Sequence, residues 1–137
     1  MFASTPADVA FLLARILFGG TLAFMGLTHF LSVDEMAGYA EYKGLPAPTF
    51  SVLASGAVLV LGGLSLIAGV YPGIGAAALA GFLLVAAVTM HDFWRMDGED
   101  AQNELTAFLK NVYGAGAALA FVAVADATWP YAVNVGL

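Results

Sequence analysis

The side chains most able to do chemistry in this sequence stand at the borders of long apolar runs. His91 and Asp92 follow one uncharged run, and Lys110 and Asn111 lie inside the next one. An imidazole, a carboxylate, an ammonium group and an amide exchange hydrogen bonds and protons, and all are costly to place in hydrocarbon. They are therefore either interfacial anchors or a binding site. The candidate binding residues, chosen at one predicted depth, are His29, His91, Asp92, Trp94, Lys110 and Asn111.

The composition predicts an integral membrane protein. Of the 137 residues 61% are hydrophobic and 10% are charged, whereas a soluble domain has about 25% charged residues. The absence of cysteine excludes disulfides, thiolate metal sites and thiol redox chemistry, so a redox role needs a bound cofactor or a partner subunit. The net charge of -6 argues against nucleic acid as a partner, since phosphate contacts need a basic patch.

The apolar runs predict an all-α fold, a single membrane domain over residues 1–137 built as a four-helix bundle. Ser32 and Glu35 match a capping box, and the helix that they begin is short and amphipathic, which is typical of an element lying along the interface. The predicted spans are about 9–31, 50–71, 73–94 and 104–127, with the interfacial helix at about 33–43.

The number of spans and the basic residues predict the topology in the cell membrane. Four crossings put both termini on one side, and Lys43, Arg95 and Lys110 belong to the other side, with the loops that join spans 1–2 and 3–4. By the positive-inside rule these loops are cytoplasmic and the termini are outside. The lipid bilayer is the one partner that the sequence requires, and homo-oligomerisation is left open.

Arg15 and Asp126 lie towards the side of the termini, at similar predicted depth and with opposite charge. The first interpretation is a structural ion pair between spans 1 and 4, and the second is an arginine that holds the anionic group of a ligand. Arg15 is roughly 21 Å from His29 along the helix axis, at 1.5 Å per residue, so the two cannot share a small site.

Two interpretations remain open for each polar group on the loop side. His29 and His91 either act as axial ligands of a haem, the less favoured alternative, or bond carbonyls and head groups at the interface. No metal site is predicted, because carboxylates at matching depth are scarce. Trp94 fits an aromatic belt, and Lys110 either snorkels or lines a cavity with Asn103 and Thr106 on its own helical face.

The order and spacing of several short motifs resemble the DoxX family, small four-helix membrane proteins of bacteria and archaea. The resemblance covers about 120 residues, from Arg15 to Gly114 and beyond. Its motifs are Arg15 with Leu17 and Gly19, Gly26 before His29-Phe30, the link Gly44-Leu45-Pro46-Ala47-Pro48, His91-Asp92-Phe93-Trp94, and Asn103 before Phe108-Leu109-Lys110-Asn111 and Gly114.

The resemblance implies a membrane protein associated with oxidoreductases, since relatives include a subunit of a thiosulfate:quinone oxidoreductase. On this basis His91 and Lys110 are expected to bond a quinone carbonyl, Phe93 and Trp94 to stack on its ring, and Asp92 to relay protons. The alternative is a non-catalytic scaffold or anchor for a partner redox subunit. No catalytic residue is assigned, and a solute carrier ranks last because spans 2 and 3 offer almost no polar path.

Overall fold

A computed structural model of the chain describes residues 2–136 and consists of helices joined by short connections. A three-residue 3-10 turn, Phe93–Arg95, precedes the last helix, and one isolated β-bridge joins Val70 to Val135. The helices are α1 (Thr5–Leu31), α2 (Val33–Tyr42), α3 (Pro48–Ala68), α4 (Pro72–Met90) and α5 (Gly98–Ala123).

Proline and glycine set the boundaries of the central helices. Pro48 and Pro72 occupy the first turns of α3 and α4, where a missing N–H costs nothing. Gly69 ends α3 with a φ of 69°, a left-handed conformation that glycine adopts without a Cβ clash. The turn between α3 and α4 is therefore short, and the two helices run antiparallel side by side.

The interfacial helix α2 forms at the predicted place without the predicted cap. Only Ser32 separates it from α1, and the Ser32 side chain makes no capping hydrogen bond. The Ser32 N–H instead donates to the Thr28 carbonyl and continues the hydrogen bonds of α1. This N–H is therefore not free for the Glu35 side chain, as a capping box requires. Gly44 then ends α2 with a φ of 79° and bonds the Glu41 carbonyl.

Glycines allow α1 and α3 to pack with their backbones in close approach. A Cβ placed on Gly19 would lie 2.6 Å from the Gly63 carbonyl oxygen, and one on Gly26 would lie 2.8 Å from that of Gly56. The glycines recur at the same separation on both helices, so one face of α1 meets one face of α3. In a bilayer no hydrophobic effect drives helices together, so the close van der Waals packing that small residues allow stabilises the interface.

The remaining helices follow in sequence around the bundle: α3 packs on α4 and α4 on α5. Four helices are long and apolar enough to cross a membrane: α1, α3, α4 continued to Arg95, and α5. Many large apolar side chains point outward, as expected of surfaces that face lipid. The buried hydrophobic cluster consists of Leu22, Leu59, Leu66, Ala76, Leu79, Ala80, Leu83, Ala115, Ala118, Phe121 and Trp129.

Arg15 closes the end of the bundle where both termini lie, which we call the terminal end (residues 2–8, 69–72 and 124–136). Its guanidinium is fully buried. Nε donates to the Leu66 carbonyl at 2.9 Å and the terminal nitrogens donate to the carbonyls of Ile67, Pro130 and Tyr131. The arginine therefore joins α1 to the last turn of α3 and to the C-terminal segment.

The predicted ion pair between Arg15 and Asp126 is wrong for the part of the chain that the structure describes. Asp126 is exposed and is not bonded to Arg15. The physical reason is that α5 ends at Ala123, before the predicted end of the span at 127. The Trp129 indole N–H bonds the Val124 carbonyl at 2.8 Å, and this turn brings backbone carbonyls, rather than a carboxylate, to the arginine.

The close approach of α1 and α3 predicts opposite effects for two glycine substitutions. Gly19→Ala forces a methyl group against the Gly63 carbonyl and should lower the free energy of unfolding by about 1–3 kcal/mol. Gly116→Ala on α5 meets nothing within 4 Å and should be neutral or stabilising by up to about 1 kcal/mol. Unfolding in detergent micelles, followed by circular dichroism, measures both; equal effects would contradict the packing.

Truncation of Arg15 should be the most destabilising single change at the terminal end. Arg15→Ala leaves four carbonyl oxygens without donors and should lower the free energy of unfolding by about 3 kcal/mol or more. The control is Arg95→Ala, an exposed arginine whose loss should change little. Asp126→Asn should also be silent, and a loss of stability comparable to that of Arg15→Ala would restore the ion pair.

Candidate functional site

The opposite end of the bundle, which we call the loop end (residues 32–47 and 91–97), is held by an ion pair. Lys43 follows α2 and Asp92 follows α4, and their side chains bond each other while only 4% and 14% exposed. Arg95 adds a longer contact, with Nε 3.8 Å from Asp92 Oδ2. Burial lowers the pKa of Lys43, but the bonds to Asp92 and Tyr39 outweigh it, so the pKa is raised overall.

A second polar group joins the same elements. His91 Nδ1 lies 3.0 Å from Glu104 Oε2, and the Tyr39 hydroxyl donates to Glu104 Oε1 at 3.2 Å. Burial and the charge of Glu104 raise the pKa of Tyr39, which keeps its hydroxyl protonated as a donor. Glu104 therefore ties α2 and the end of α4 to the first turns of α5.

The aromatic residues after α4 pack on α5 and on each other. The Phe93 ring lies 5.3 Å from those of Trp94 and Phe108, centroid to centroid, in edge-to-face geometry. Trp94 is 54% exposed, and one face of the indole is open at the border of the apolar span. This is the arrangement of an interfacial belt residue.

The predicted site residues do not line one cavity. His91 and Asp92 are engaged with Glu104 and Lys43, so neither offers the free group that the predicted quinone contact requires. His29 lines a cavity on one side of the bundle, and Lys110 and Asn111 line another. The side chains point in different directions around the bundle.

His29 lines the larger of these cavities, which holds about 920 Å³ between α2, α3 and α4 and which we call the His29 cavity. Most of the lining is apolar, from residues such as Phe50, Val58, Phe82 and Val85. Such walls with a few convergent polar groups are typical of sites for small apolar ligands.

Hydrogen bonds on one edge of the His29 ring decide what the other edge offers. Nδ1 lies 2.8 Å from Ser55 Oγ and 3.3 Å from the Val52 carbonyl, and Ser55 Oγ itself donates to Val52 at 2.9 Å. A carbonyl only accepts, and the serine proton is already committed to it, so the proton of the neutral ring belongs on Nδ1. Nε2 is then an acceptor, and the bonds of the ring to residues 2–136 are all made by Nδ1.

Sequence reasoning missed Tyr39, Glu104 and Ser55. Glu104 stands at the predicted start of the fourth span, opposite the end of the third span at His91, and this position was a usable signal. Tyr39 reaches Glu104 only because α2 folds back over the bundle. Among residues 2–136 no group of three or more His, Cys, Asp or Glu side chains is placed to hold a metal ion.

Four long apolar helices, with a short amphipathic helix after the first, define a four-helix integral membrane protein. Residues 10–92, more than half of the chain, match the model of the DoxX family. The chain belongs to the DoxX family. No curated protein and no solved structure matches it.

The Lys43–Asp92 pair predicts a pH-dependent coupling between two substitutions. Lys43→Gln and Asp92→Asn should each lower the melting temperature in detergent, and together they should lower it by less than the sum. The folded-state pKa of Lys43 is raised from 10.5, and the bond to Lys43 lowers the pKa of Asp92 from 3.8. The coupling is therefore full between pH 3.8 and 10.5, and it is lost as the pH rises through the raised value or falls through the lowered one.

Glu41→Gln, an exposed acid on the same helix, is the control for this cycle and should leave the melting temperature unchanged. Additive effects of the two substitutions at pH 7 would show that the pair contributes nothing to the docking of α2.

Proposed function

We propose that this protein binds the head group of a quinol or quinone in the His29 cavity, as an accessory subunit of a membrane oxidoreductase system. The observation that carries the proposal is His29 Nε2, an acceptor without a partner among residues 2–136, on the wall of a large apolar cavity. The resemblance to quinone-linked relatives supports the same ligand class.

The tautomer of His29 favours the reduced form of the ligand. A quinol hydroxyl is a donor and fits Nε2, whereas a quinone carbonyl would need the doubly protonated ring. In this arrangement His29 accepts the hydroxyl proton as a general base, and Ser55 positions the ring. Oxidation of the quinol also releases the second hydroxyl proton and two electrons. Because the chain has no cysteine, these pass to a partner subunit or a bound cofactor.

Among the half-buried polar side chains of the cavity, the hydroxyl groups are already used, which leaves His29 to orient the head group. Glu35 and Tyr42 also line the cavity, but both are exposed. Ser51 Oγ donates to the Pro46 carbonyl at 2.8 Å, and Thr89 Oγ1 donates to the Val85 carbonyl at 2.8 Å. The exposed Phe50 and Val85 at the lipid-facing side of α3 and α4 provide a path for an apolar tail into the bilayer.

We place the loops at the loop end in the cytoplasm and both termini outside, following the positions of Lys43 and Arg95. The His29 cavity then opens at the cytoplasmic half of the membrane. The second candidate function is a non-catalytic scaffold, favoured by the exposed face of Trp94 beside the exposed Arg95 at this surface. Such a surface fits an acidic, partly apolar face of a partner protein.

His29→Ala should weaken the binding of decylubiquinol to the purified protein about tenfold, the effect of losing one buried hydrogen bond. Anaerobic isothermal titration in detergent measures the dissociation constant. His91→Ala is the matched control and should leave it unchanged, because His91 is bonded to Glu104 outside the cavity.

Equal losses in the two variants, or no binding to the unaltered protein, would remove the quinol proposal. In that case a partner that co-purifies after mild solubilisation, and is lost with Trp94→Ala, would favour the scaffold.

A further inference from the structure

We propose that a cleft between α1 and α5 binds one acyl chain of an anionic phospholipid, with the head group on Lys110 and Asn111. The cleft holds about 500 Å³, and its apolar walls include Leu17, Phe18, Leu22 and Phe121. It exists because α1 packs along α3 and α5 packs along α4, while α1 and α5 share few backbone contacts.

The polar end of the cleft has two groups that the protein itself does not satisfy. Asn111 is 5% exposed, lines the cleft and makes no side-chain hydrogen bond within the described part of the chain. Every fully buried side-chain N or O atom in residues 2–136 has a partner, so the Asn111 amide is accessible from the cleft. Lys110 lines the same cleft and has no ion-pair partner among residues 2–136. An unpaired amide and a lysine in a membrane span are both costly unless something pairs with them.

The chemistry of this end selects an anionic oxygen. Lys110 supplies a positive charge, the Asn111 amide supplies two further N–H donors, and the described lining contains no acidic side chain. A phosphate diester with an apolar chain satisfies both groups at once, and a zwitterionic head group offers weaker net attraction.

The cleft runs along α5 from Lys110 towards the terminal end. Lys110 precedes Phe121 by roughly 16 Å along α5, at 1.5 Å per residue. The Phe121 ring stacks on Phe18 at 5.7 Å and closes the far end of the cleft. A head group at Lys110 therefore has its chain directed along α5 towards the terminal end.

The inference does not rest on the proposed quinol site, because no residue lines both cavities. The experiment is native mass spectrometry of the full chain released from detergent. It is titrated with dioleoyl phosphatidylglycerol or with dioleoyl phosphatidylcholine, which has the same chains and no net charge. We expect one phosphatidylglycerol to be retained at least about tenfold more tightly than phosphatidylcholine, the worth of one charge-assisted hydrogen bond.

Lys110→Gln should abolish this preference, and Asn111→Leu should weaken phosphatidylglycerol binding because it removes the amide donors. Arg95→Gln is the matched control, an exposed cation at the loop end that lies outside the cleft and should leave the preference intact.

Three outcomes would overturn the proposal: equal retention of the two lipids, an equal loss with Arg95→Gln and Lys110→Gln, or retention of oleate without retention of phosphatidylglycerol. Lys110 is exposed, so its substitution leaves the fold intact even if Asn111→Leu does not.

Discussion

The bundle depends on the rule that backbone groups buried in hydrocarbon must find partners inside the protein. The last carbonyls of α3 have none within their own helix. Arg15 supplies the missing donors to Leu66 and Ile67, and the same guanidinium reaches the C-terminal segment. The arginine has no bonded carboxylate among residues 2–136. Its charge is instead stabilised by the negative end of the α3 dipole and by the Trp129 ring, 5.4 Å from the guanidinium carbon.

The loop end uses charges where the terminal end uses carbonyls. Lys43, Asp92, His91, Glu104 and Tyr39 satisfy one another, and together they hold α2 against α4 and α5. Polar side chains that bond one another in this way have a structural role, even where their residue types are typical of binding sites. The groups that are left over, His29 Nε2 on one side and Lys110 with Asn111 on the other, are the ones with capacity for a ligand.

The sequence predicts most of the fold because a bilayer leaves few alternatives for uncharged runs of this length. Four membrane helices and membership of the DoxX family are confirmed. The site was harder to predict, since counting along a helix gives an approximate height but not the direction of a side chain. His91 lies beside Glu104, and Lys110 is roughly 9 Å further along α5, at 1.5 Å per residue, and lines a different cavity. The hydrogen-bond partners of Arg15 could not be predicted from the sequence for a different reason. Every residue has a carbonyl, and only the turn after Ala123 selects those of Pro130 and Tyr131.

The two cavities differ in the polar group that each offers to a ligand, so one ligand cannot suit both. The neutral His29 ring offers a lone pair and prefers a neutral donor, while Lys110 offers a charge and prefers an anion. A quinol in the Lys110 cleft would leave the ammonium group without a counter-ion, and a phosphate in the His29 cavity would face the lone pair of Nε2. The two sets of groups line separate cavities that share no residue. Separate ligands of different charge are therefore the physically consistent assignment. A lipid bound along α5 would fill the cleft that the packing of α1 and α5 leaves open.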